Sequence, residues 1–597
     1  MFARLGSWCH DRRWLVLALW VVVLVGFNIG GGAVGDAYRE DLNIPAVESR
    51  DGFDLLDERF GGQGTGYTGT IVFEAEQGVD DPEVAAAMQD LFAMVADLDG
   101  VTSVQSPYDE GGEQLIASQG PRAGQIAYAN IELPEEGTFV EAGEIRDEIL
   151  EQSPDIDGLN IELGGFIFAE FEEPTAELLG LAFAIVILIV AFGSVLAMGL
   201  PIGVALFGIG LGGALTTLIS HIITIPEFAP FIGIMIGLGV GIDYALLIIT
   251  RYREQLHAGH TVRESVTIAM DTAGRSVAFA GVTVVISLLG MLLIGVPFIA
   301  GLAVSASVTV AVTIVASLTL LPALVGFAGE RIEKTRRRGL VAAGLVAVGL
   351  VGLGLDIPAL AVAFLLAIIV LATGRWVPFL NAEIAHRPPK PRRETVAYRW
   401  SRVIQHRPWP AALAGTAVLL LLAAPVLGLR LGFSDESNFP DDTTTKQAYD
   451  LLVEGFGEGF NGPLLLVADV AEGADQAALD AVTAAVAADP GVVFVSPGVP
   501  DDPENPTAVL WNVVPTSGPQ EEDTTNLVNR LRDDVLPEPE AALGADVLVT
   551  GVTAVNVDFA DFLAERILYF FAAVLVVSFL FLMVVFRSLL VPLKAVI

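Results

Sequence analysis

Cysteines, metal-ligand clusters and nucleotide-binding motifs are almost missing from this sequence. Cys9 is the single cysteine, which excludes an internal disulfide. His257 and His260 lie three residues apart without a third ligand nearby, so no metal site is predicted. The glycine-rich stretch 208–213 lies in an apolar run, and no Walker lysine follows it, which argues against ATP hydrolysis. Because no nucleophile–base arrangement is apparent, we predict no enzyme, no cofactor and no nucleic-acid partner.

Positive charge is also scarce, and it is unevenly placed. The chain has 32 Lys and Arg against 71 Asp and Glu, a formal net charge of −39. Residues 34–173 carry a net charge of −28 and residues 430–565 carry −22, whereas the rest of the chain carries +11. This distribution predicts two acidic domains that are joined by a basic membrane part.

Long apolar runs are abundant. Of the 597 residues, 53% are hydrophobic, the mean hydropathy is +0.62, and several runs are long enough to cross a bilayer. Arg4, Arg12 and Arg13 precede the first run, so we expect an uncleaved first span whose basic flank faces the cytoplasm. The sequence therefore predicts a multi-pass protein of the plasma membrane.

The predicted organisation has seven segments. They are an N-terminal segment with the first span (1–33), an extracytoplasmic domain (34–173), spans two to six (174–325), a cytoplasmic linker (326–408), span seven (409–429), a second extracytoplasmic domain (430–565), and span eight with the chain end (566–597).

Three details of the membrane part are also predicted. Spans two and three are expected near Leu178–Leu196 and Pro201–Thr224. Residues 339–373 predict a re-entrant or spanning apolar hairpin that is interrupted by Asp356 and Pro358. The basic stretch that follows is interpreted as a solvated linker near anionic lipid; its marked residues are Pro388, Pro389, Lys390, Arg392 and Arg393.

Each acidic domain shows the same alternation of strand and helix patterns. The first predicts strands at Thr68–Glu74, Val101–Gln105, Gln125–Leu133 and Leu159–Leu163, with helices at Pro82–Leu98 and Phe139–Gln152. The second repeats this order between Leu464 and Val549. A βαββαβ order is typical of a ferredoxin-like unit, so we predict two α+β ferredoxin-like domains on an α-helical membrane protein.

The chain is also internally duplicated. The segment from Gly100 to Pro107 resembles the one from Gly491 to Pro497, and Phe192 corresponds to Phe586. Parallel halves of this kind are a transporter architecture. The repeat places the counterpart of Asp243 beyond Ile597, so we expect the sequence to be a fragment that does not pump on its own.

Asp243 is the acidic residue that lies well inside an apolar span, from about Pro230 to Thr250. A charge at the bilayer centre costs at least ~2.5–3.5 kcal/mol on insertion scales. Arg251, about 12 Å further along the helix, is expected at a membrane surface, which places Asp243 near the middle of a core of ~30 Å. Such a carboxyl is a candidate proton or cation relay, and the alternative is a neutral side chain that hydrogen-bonds to a neighbouring helix.

Four glycines near this residue predict close helix packing. Gly233, Gly237 and Gly241 recur every four residues on one face, and Gly239 lies between them. We therefore expect Asp243 to be buried beside close-packed helices.

The sequence resembles the MmpL (mycobacterial membrane protein Large) family of the RND superfamily. The resemblance rests on a set of motifs in order: Gly239–Tyr244 (GVGIDY), Thr272–Ser276 (TAGRS), Leu320–Leu324 (LLPAL) and Phe456–Pro463 (FGEGFNGP). It implies proton-motive-force-driven export of lipids or other hydrophobic molecules, so lipids and protons are the expected partners. The apolar hairpin departs from the family pattern.

The resemblance also assigns roles to particular residues. In the family, an Asp-Tyr pair of span four faces a second pair in the other half, and protons pass there. Asp243 and Tyr244 match the first pair, and Ser287 occupies the place of a serine that lies near the site. A sterol-sensing or receptor-like relative, or a protein-translocation relative, is the alternative function. The substrate and any homo-oligomerisation stay open.

Overall fold

The computed structural model describes residues 1–39, 47–60, 67–134, 139–170, 175–333, 336–355, 357–383, 393, 396–432, 434–470, 475–502 and 506–596. Asp356, Pro388, Pro389, Lys390 and Arg392 lie outside the described residues. The chain divides into two compact units. The membrane unit comprises Met1–Leu42, Glu172–Arg430 and Ile567–Ile597, and the sheet unit comprises Asn43–Phe171 and Leu431–Arg566.

The helices in the described ranges are numbered in chain order. They are α1 (Phe2–Asp11), α2 (Arg13–Val34), α3 (Glu48–Phe60), α4 (Pro82–Ala96), α5 (Phe139–Glu151), α6 (Ala176–Phe192), α7 (Val195–Ile219), α8 (Ala229–His257), α9 (Val262–Ala269), α10 (Arg275–Leu289), α11 (Pro297–Ala328), α12 (Arg337–Gly354), α13 (Val362–Thr373), α14 (Pro378–Asn381), α15 (Val396–His406), α16 (Pro408–Ala423), α17 (Thr444–Phe456), α18 (Gln476–Ala487), α19 (Glu522–Arg530), α20 (Pro537–Leu543), α21 (Val552–Phe586) and α22 (Leu590–Val596).

The strands belong to two sheets. They are β1 (Tyr67–Ala75), β2 (Ser103–Gln105), β3 (Ile126–Leu133), β4 (Leu159–Gly164), β5 (Leu464–Asp469), β6 (Val492–Val495), β7 (Val499–Pro500), β8 (Ala508–Pro515) and β9 (Val547–Thr550). The first sheet has the order β2-β3-β1-β4, and the second has the order β6-β8-β5-β9 with β7 paired to β8.

Eight helical runs in the described ranges are long and apolar enough to cross a membrane. They are Arg13–Val34, Val195–Ile219, Ala229–His257, Val262–Ile294, Pro297–Glu333, Arg337–Gly354, Pro408–Gly428 and Val552–Phe586. Two further apolar helices, Ala176–Phe192 and Pro358–Thr373, are shorter. The chain is therefore a multi-pass membrane protein.

The boundary between the second and third spans differs from the prediction. Helix α6 ends at Phe192 because Gly193 adopts a left-handed conformation with φ +63°. The Ser194 hydroxyl then accepts a hydrogen bond from the Ala197 amide at 3.3 Å and caps α7. Helix α7 consequently begins at Val195 and contains Pro201, whereas the sequence analysis placed that proline at the start of a span.

The centre of the membrane unit is a close approach of α7 to α11. A Cβ atom on Gly208 would lie 2.8 Å from Thr313 Cα, and one on Gly212 would lie 2.8 Å from Thr309 Cα. Only a glycine fits at such distances from a neighbouring backbone. The two helices therefore form a rigid seam, against which the third central helix, α8, also packs.

In each sheet, one central strand pairs antiparallel with two neighbours. In the first sheet, Ile71 of β1 lies opposite Ala129 of β3 and Leu163 of β4. All three side chains are fully buried. In the second sheet, Leu466 of β5 lies likewise between Trp511 of β8 and Val549 of β9. The same strand arrangement thus occurs twice.

Helices α3 and α17 of the sheet unit were not predicted, and they are exchanged between the halves of the chain. Helix α3 comes from the first half but packs on β9 of the second sheet, where the Thr550 hydroxyl donates to the Ser49 carbonyl at 2.6 Å. Helix α17 comes from the second half but packs on β4 of the first sheet. There the Thr444 hydroxyl accepts from the Leu163 amide at 2.8 Å and donates to Glu162 Oε2 at 2.7 Å.

The predicted apolar hairpin is formed by α12 and α13. The two helices pack closely, because a Cβ atom on Gly349 would lie 2.8 Å from the Phe364 ring. The other face of α12 packs on α6, with Ala343, Ala347 and Leu350 in a shared buried cluster. The hairpin is therefore an integral part of the membrane unit.

Candidate functional site

Helix α8 carries the predicted site, and one of its faces is closely packed. A Cβ atom on Gly241 would lie 2.7 Å from Ala205 Cβ on α7 and 2.7 Å from Thr313 Cγ2 on α11. One on Gly237 would lie 2.7 Å from Thr309 Cγ2, and one on Gly233 would lie 3.0 Å from the Thr309 hydroxyl oxygen. Three of the four predicted packing glycines thus lie in the seam with α7 and α11.

The fourth glycine does not lie in the seam. No atom lies within 4 Å of a Cβ built on Gly239, and the residue is exposed. The reason is helix geometry, since a residue two positions from Gly237 and Gly241 points about 200° away from them. Within the described residues, Gly239 therefore has no packing partner on this face of α8.

Asp243 lies on this open face of α8. It is exposed, and so are Met235, Gly239 and Leu247, which lie at four-residue spacing on the same face of the helix. Within the described residues its carboxylate forms no hydrogen bond or ion pair. The sequence predicts a buried carboxyl, and among the described residues this carboxyl is exposed.

Tyr244 points in a different direction from its neighbour. Its side chain is buried in the core of the membrane unit with Val277 and Ile314. A Cβ atom on Gly281 of α10 would lie 3.3 Å from Tyr244 Cε2. The ring therefore packs between helices, while Asp243, one residue earlier, lies on the open face.

Ser287 is half-buried on α10. It follows Gly281, the residue next to Tyr244, by about 9 Å along the helix axis. Within the described ranges no hydrogen bond joins Ser287 to Asp243 or Tyr244. The structure thus brings Tyr244 close to α10, and no hydrogen bond within the described ranges links the three predicted relay residues.

A row of hydroxyl groups on α11 was missed by the sequence analysis. Ser305, Thr309 and Thr313 are buried and face the glycines of α8 and α7. The Thr313 hydroxyl donates to the Thr309 carbonyl at 2.7 Å, and the Thr309 hydroxyl donates to the Ser305 carbonyl at 3.1 Å. Their four-residue spacing was the available signal. The Ser305 hydroxyl donates instead to the Ala229 carbonyl of α8 at 3.2 Å, so the row keeps its polar groups satisfied at the seam.

A cleft of about 580 Å³ opens beside the N-terminal part of α8. Its walls come from α2, α7 and α8, and its polar groups include Asn28, Asp36 and Thr217. Five glycines keep it open: Gly31, Gly32, Gly35, Gly210 and Gly213. The cleft thus combines polar groups with an apolar lining.

Two ion pairs hold the ends of helices outside the apolar core. Arg263 binds Asp11 with three hydrogen bonds, Nε to Oδ1 at 3.0 Å, Nε to Oδ2 at 3.2 Å and Nη2 to Oδ2 at 2.9 Å. These bonds lower the pKa of Asp11 to about 2. Arg253 binds Glu333 through Nε to Oε1 at 2.7 Å and Nη2 to Oε2 at 3.0 Å.

Similarity to known proteins defines the class. A sequence model of the MMPL family matches residues 41–344 and 439–597. Together with the eight apolar helical runs, this match shows that the chain belongs to the MMPL family of membrane transport proteins.

Similar proteins match the chain over nearly its whole length. Membrane protein YdfJ of Bacillus subtilis is 31% identical over 615 residues, covering 100% of this chain and 74% of YdfJ. The mycolic acid-containing lipids exporter MmpL11 of Mycolicibacterium smegmatis is 25% identical, covering 99% of this chain and 58% of the relative. The trehalose monomycolate exporter MmpL3 of Mycobacterium tuberculosis is 26% identical, covering 100% of this chain and 62% of the relative.

Proposed function

We propose that this protein exports lipids or other hydrophobic molecules across the plasma membrane and is driven by the proton motive force. Membership of the MMPL family and the names of two relatives, both lipid exporters, support the substrate class. Asp243 supports the energy source. It is a carboxylate on an apolar helix, it lacks a partner within the described residues, and a rigid seam holds the helix that carries it.

The two faces of α8 suggest how Asp243 would work. The glycine face fixes the backbone against α7 and α11, so the position of Asp243 does not depend on its own side-chain bonds. A charged and a neutral carboxyl differ by several kcal/mol in their preference for an apolar environment. Proton binding at Asp243 would therefore shift the equilibrium between two arrangements of whatever faces this side of α8.

Tyr244 and Ser287 are assigned supporting roles in this proposal. Tyr244 packs against α10 at Gly281, so it couples α8 to the helix that carries Ser287. Ser287 is half-buried further along α10 and would extend a proton path along this helix. Both roles depend on the assignment of Asp243 as the proton-binding group.

The sheet unit is assigned to the extracytoplasmic side, and its two halves to ferredoxin-like porter domains at residues 34–173 and 430–565. The repeated strand order supports the fold. The acidic charge of these segments against the basic charge of the rest supports the location. Labelling of single introduced cysteines in intact cells tests it: position 114, where Gln114 is exposed, should react from outside, and position 260 should not.

The test of the energy source is proton flux through the intact protein in liposomes. Asp243→Asn nearly preserves volume and hydrogen bonding but cannot exchange a proton, so both proton flux and lipid export should fall by at least about 100-fold, as expected for an essential group. The matched control is Asp271→Asn, because Asp271 is an exposed aspartate of the turn between α9 and α10. Unchanged flux in Asp243→Asn would falsify the proposal.

A receptor-like or protein-translocating relative remains the competing function, and the same experiment separates them. A receptor would bind its ligand in liposomes without coupling proton movement to lipid transfer. An exporter should lose lipid transfer when the proton gradient is collapsed by an ionophore.

A further inference from the structure

The two ends of the α12–α13 hairpin meet in a cluster of arginines and aromatic rings. We call this cluster the hairpin base; it consists of Arg336, Arg337, Arg338, Arg375, Trp376 and Phe379. The ends are close together because a Cβ atom on Gly374, just after α13, would lie 3.1 Å from Arg338 Cβ at the start of α12. Four guanidinium groups are therefore concentrated at one end of an apolar helical hairpin.

Few carboxylates neutralise these arginines. Within the described residues, no ion pair is formed by Arg337, Arg338 or Arg375. Arg336 forms a short β-bridge with Glu383, whose side chain is exposed, and its Nη1 donates to Asn381 Oδ1 at 2.8 Å. The hairpin base thus carries a clear excess of positive charge.

Aromatic rings orient two of the guanidinium groups. The Arg337 guanidinium lies 4.4 Å from the centre of the Phe379 ring, and that of Arg375 lies 4.2 Å from the centre of the Trp376 ring. Stacking on a ring engages the flat face of a guanidinium and leaves its N–H edge free. Those free edges are the groups that bind phosphate oxygens in pairs.

The hairpin itself places this cluster at a membrane surface. Helix α12 has 18 residues and is about 27 Å long, close to the ~30 Å thickness of a hydrocarbon core. The outer face of α13 exposes Leu365, Ile368 and Leu371. Trp376 and Phe379 are each 66% exposed, as expected for rings at the level of the lipid headgroups.

We propose that the hairpin base binds the phosphate headgroup of an anionic phospholipid, of the phosphatidylglycerol class, in the leaflet that borders it. The arginine edges bind the phosphate oxygens, and Trp376 and Phe379 lie beside the upper part of the acyl chains. Since the opposite face of α12 packs on α6, the site is fixed to the helix bundle. The ranges that match the MMPL family stop at residue 344 and resume at 439, so Arg375 and both rings lie outside them.

Trp376 supplies a local probe of the bound lipid. The full-length chain is placed in vesicles of phosphatidylcholine that contain either brominated phosphatidylglycerol or brominated phosphatidylcholine, which quench tryptophans that they touch. The difference between the unmodified protein and Trp376→Phe isolates the signal of Trp376. Quenching by the anionic lipid should reach half its maximum at a mole fraction about fivefold lower than by the neutral lipid, as one well-placed basic side chain would give.

A pair of triple variants tests the role of the arginines. R337Q/R338Q/R375Q should abolish the preference for the anionic lipid. R399Q/R402Q/R407Q removes the same number of charges at and just after the exposed helix α15 and should keep it. If the glutamine variant does not fold, R337K/R338K/R375K replaces it. The lysines keep the positive charge but lack the guanidinium edge that binds two phosphate oxygens at once, so the preference for the anionic lipid should weaken.

Three results would overturn the proposal. The first is equal quenching of Trp376 by the two brominated lipids, or none by either. The second is an equal loss of preference in both triple variants, which would indicate a general surface charge effect. The third is complete displacement of the anionic lipid by millimolar inorganic phosphate or pyrophosphate, which would indicate a site for a soluble anion.

Discussion

Two aspartates on long apolar helices have opposite surroundings. Asp558, near the start of α21, is 8% exposed. Its Oδ2 accepts hydrogen bonds from Arg532 Nη2 at 3.0 Å and from the Ser49 amide at 3.1 Å. Asp243 on α8 is exposed and forms no such bond within the described residues.

The difference separates a carboxylate that is held in a network from one that has no partner among the described residues. Removing one partner of a buried ion pair leaves an uncompensated buried charge, so Asp558 and Arg532 depend on each other. Within the described ranges, Asp243 belongs to no such network, and the glycine face of α8 fixes the helix that carries it. The account therefore predicts that Asp558 matters for folding and Asp243 matters for transport.

The largest expected effect on stability comes from breaking the network of Asp558. Arg532 is 15% exposed, and its Nε lies 3.1 Å from Glu48 Oε2. Arg532→Leu would leave two carboxylates without their partner and should lower the free energy of unfolding of the sheet unit by about 3–5 kcal/mol. Hydrogen exchange of the strands in the full chain measures this.

The control for that variant is Arg50→Leu on α3. Arg50 pairs with Asp54 at the surface at 2.8 Å, so its loss should cost less than about 1 kcal/mol. Equal effects of the two substitutions would contradict the distinction between buried and exposed pairs.

A smaller effect is expected from a comparison of the two faces of α8. Gly237→Leu would force a side chain against Thr309, whose Cγ2 lies 2.7 Å from the Cβ position, and should destabilise the membrane unit by about 1–3 kcal/mol. Gly239→Leu meets no atom within 4 Å of its Cβ and should leave stability nearly unchanged. Thermal unfolding of the two variants in the same detergent provides the measurement, and a greater loss in Gly239→Leu would mean that the faces have been assigned the wrong way round.

The smallest effect concerns a buried carboxyl in the sheet unit and its pH dependence. Burial raises the pKa of Glu162 above its ordinary value of 4.5, although the Thr444 hydroxyl donates to it. Because the pKa of Glu162 is higher in the folded state than in the unfolded state, its ionisation opposes folding. Its contribution to stability is fully present below pH 4.5 and is lost as the pH rises through the raised pKa. Glu162→Gln should therefore raise stability at pH 8 and leave it unchanged at pH 4.

The matched control for the pH measurement is Glu132→Gln on β3, since Glu132 is exposed. It should show no comparable difference between pH 4 and pH 8. A gain for Glu162→Gln that is equally large at both pH values would show that charge burial is not its cause.

Local patterns in the sequence were sufficient for the strands other than β7 and for most helices. The predicted strand Gln125–Leu133 corresponds to β3 at Ile126–Leu133, and the predicted helix Phe139–Gln152 corresponds to α5 at Phe139–Glu151. Alternation of apolar residues specifies such elements without knowledge of their partners. Helices α3 and α17 were missed, because each packs on a sheet from the other half of the chain, and no local pattern reports such an exchange.

The candidate site was predicted only in part for a related reason. The four-residue spacing of Gly233, Gly237 and Gly241 was enough to identify the packed face of α8. The environment of Asp243 was not, since the rotation of about 100° per residue turns it away from the glycine face, and the spacing on one face does not report what lies against the other. The hydroxyl row on α11 could have been found by the same four-residue spacing.

The central claim is that Asp243 itself gains and loses a proton in the membrane. Infrared difference spectroscopy of the intact protein in lipid, recorded across a pH change, detects this directly as a carboxylic acid band. The account predicts that one carboxylic acid band disappears in the Asp243→Asn variant. The same band should persist in the Asp271→Asn variant and in folded Asp558→Asn protein. A difference spectrum that is the same with and without the Asp243 carboxyl would contradict it.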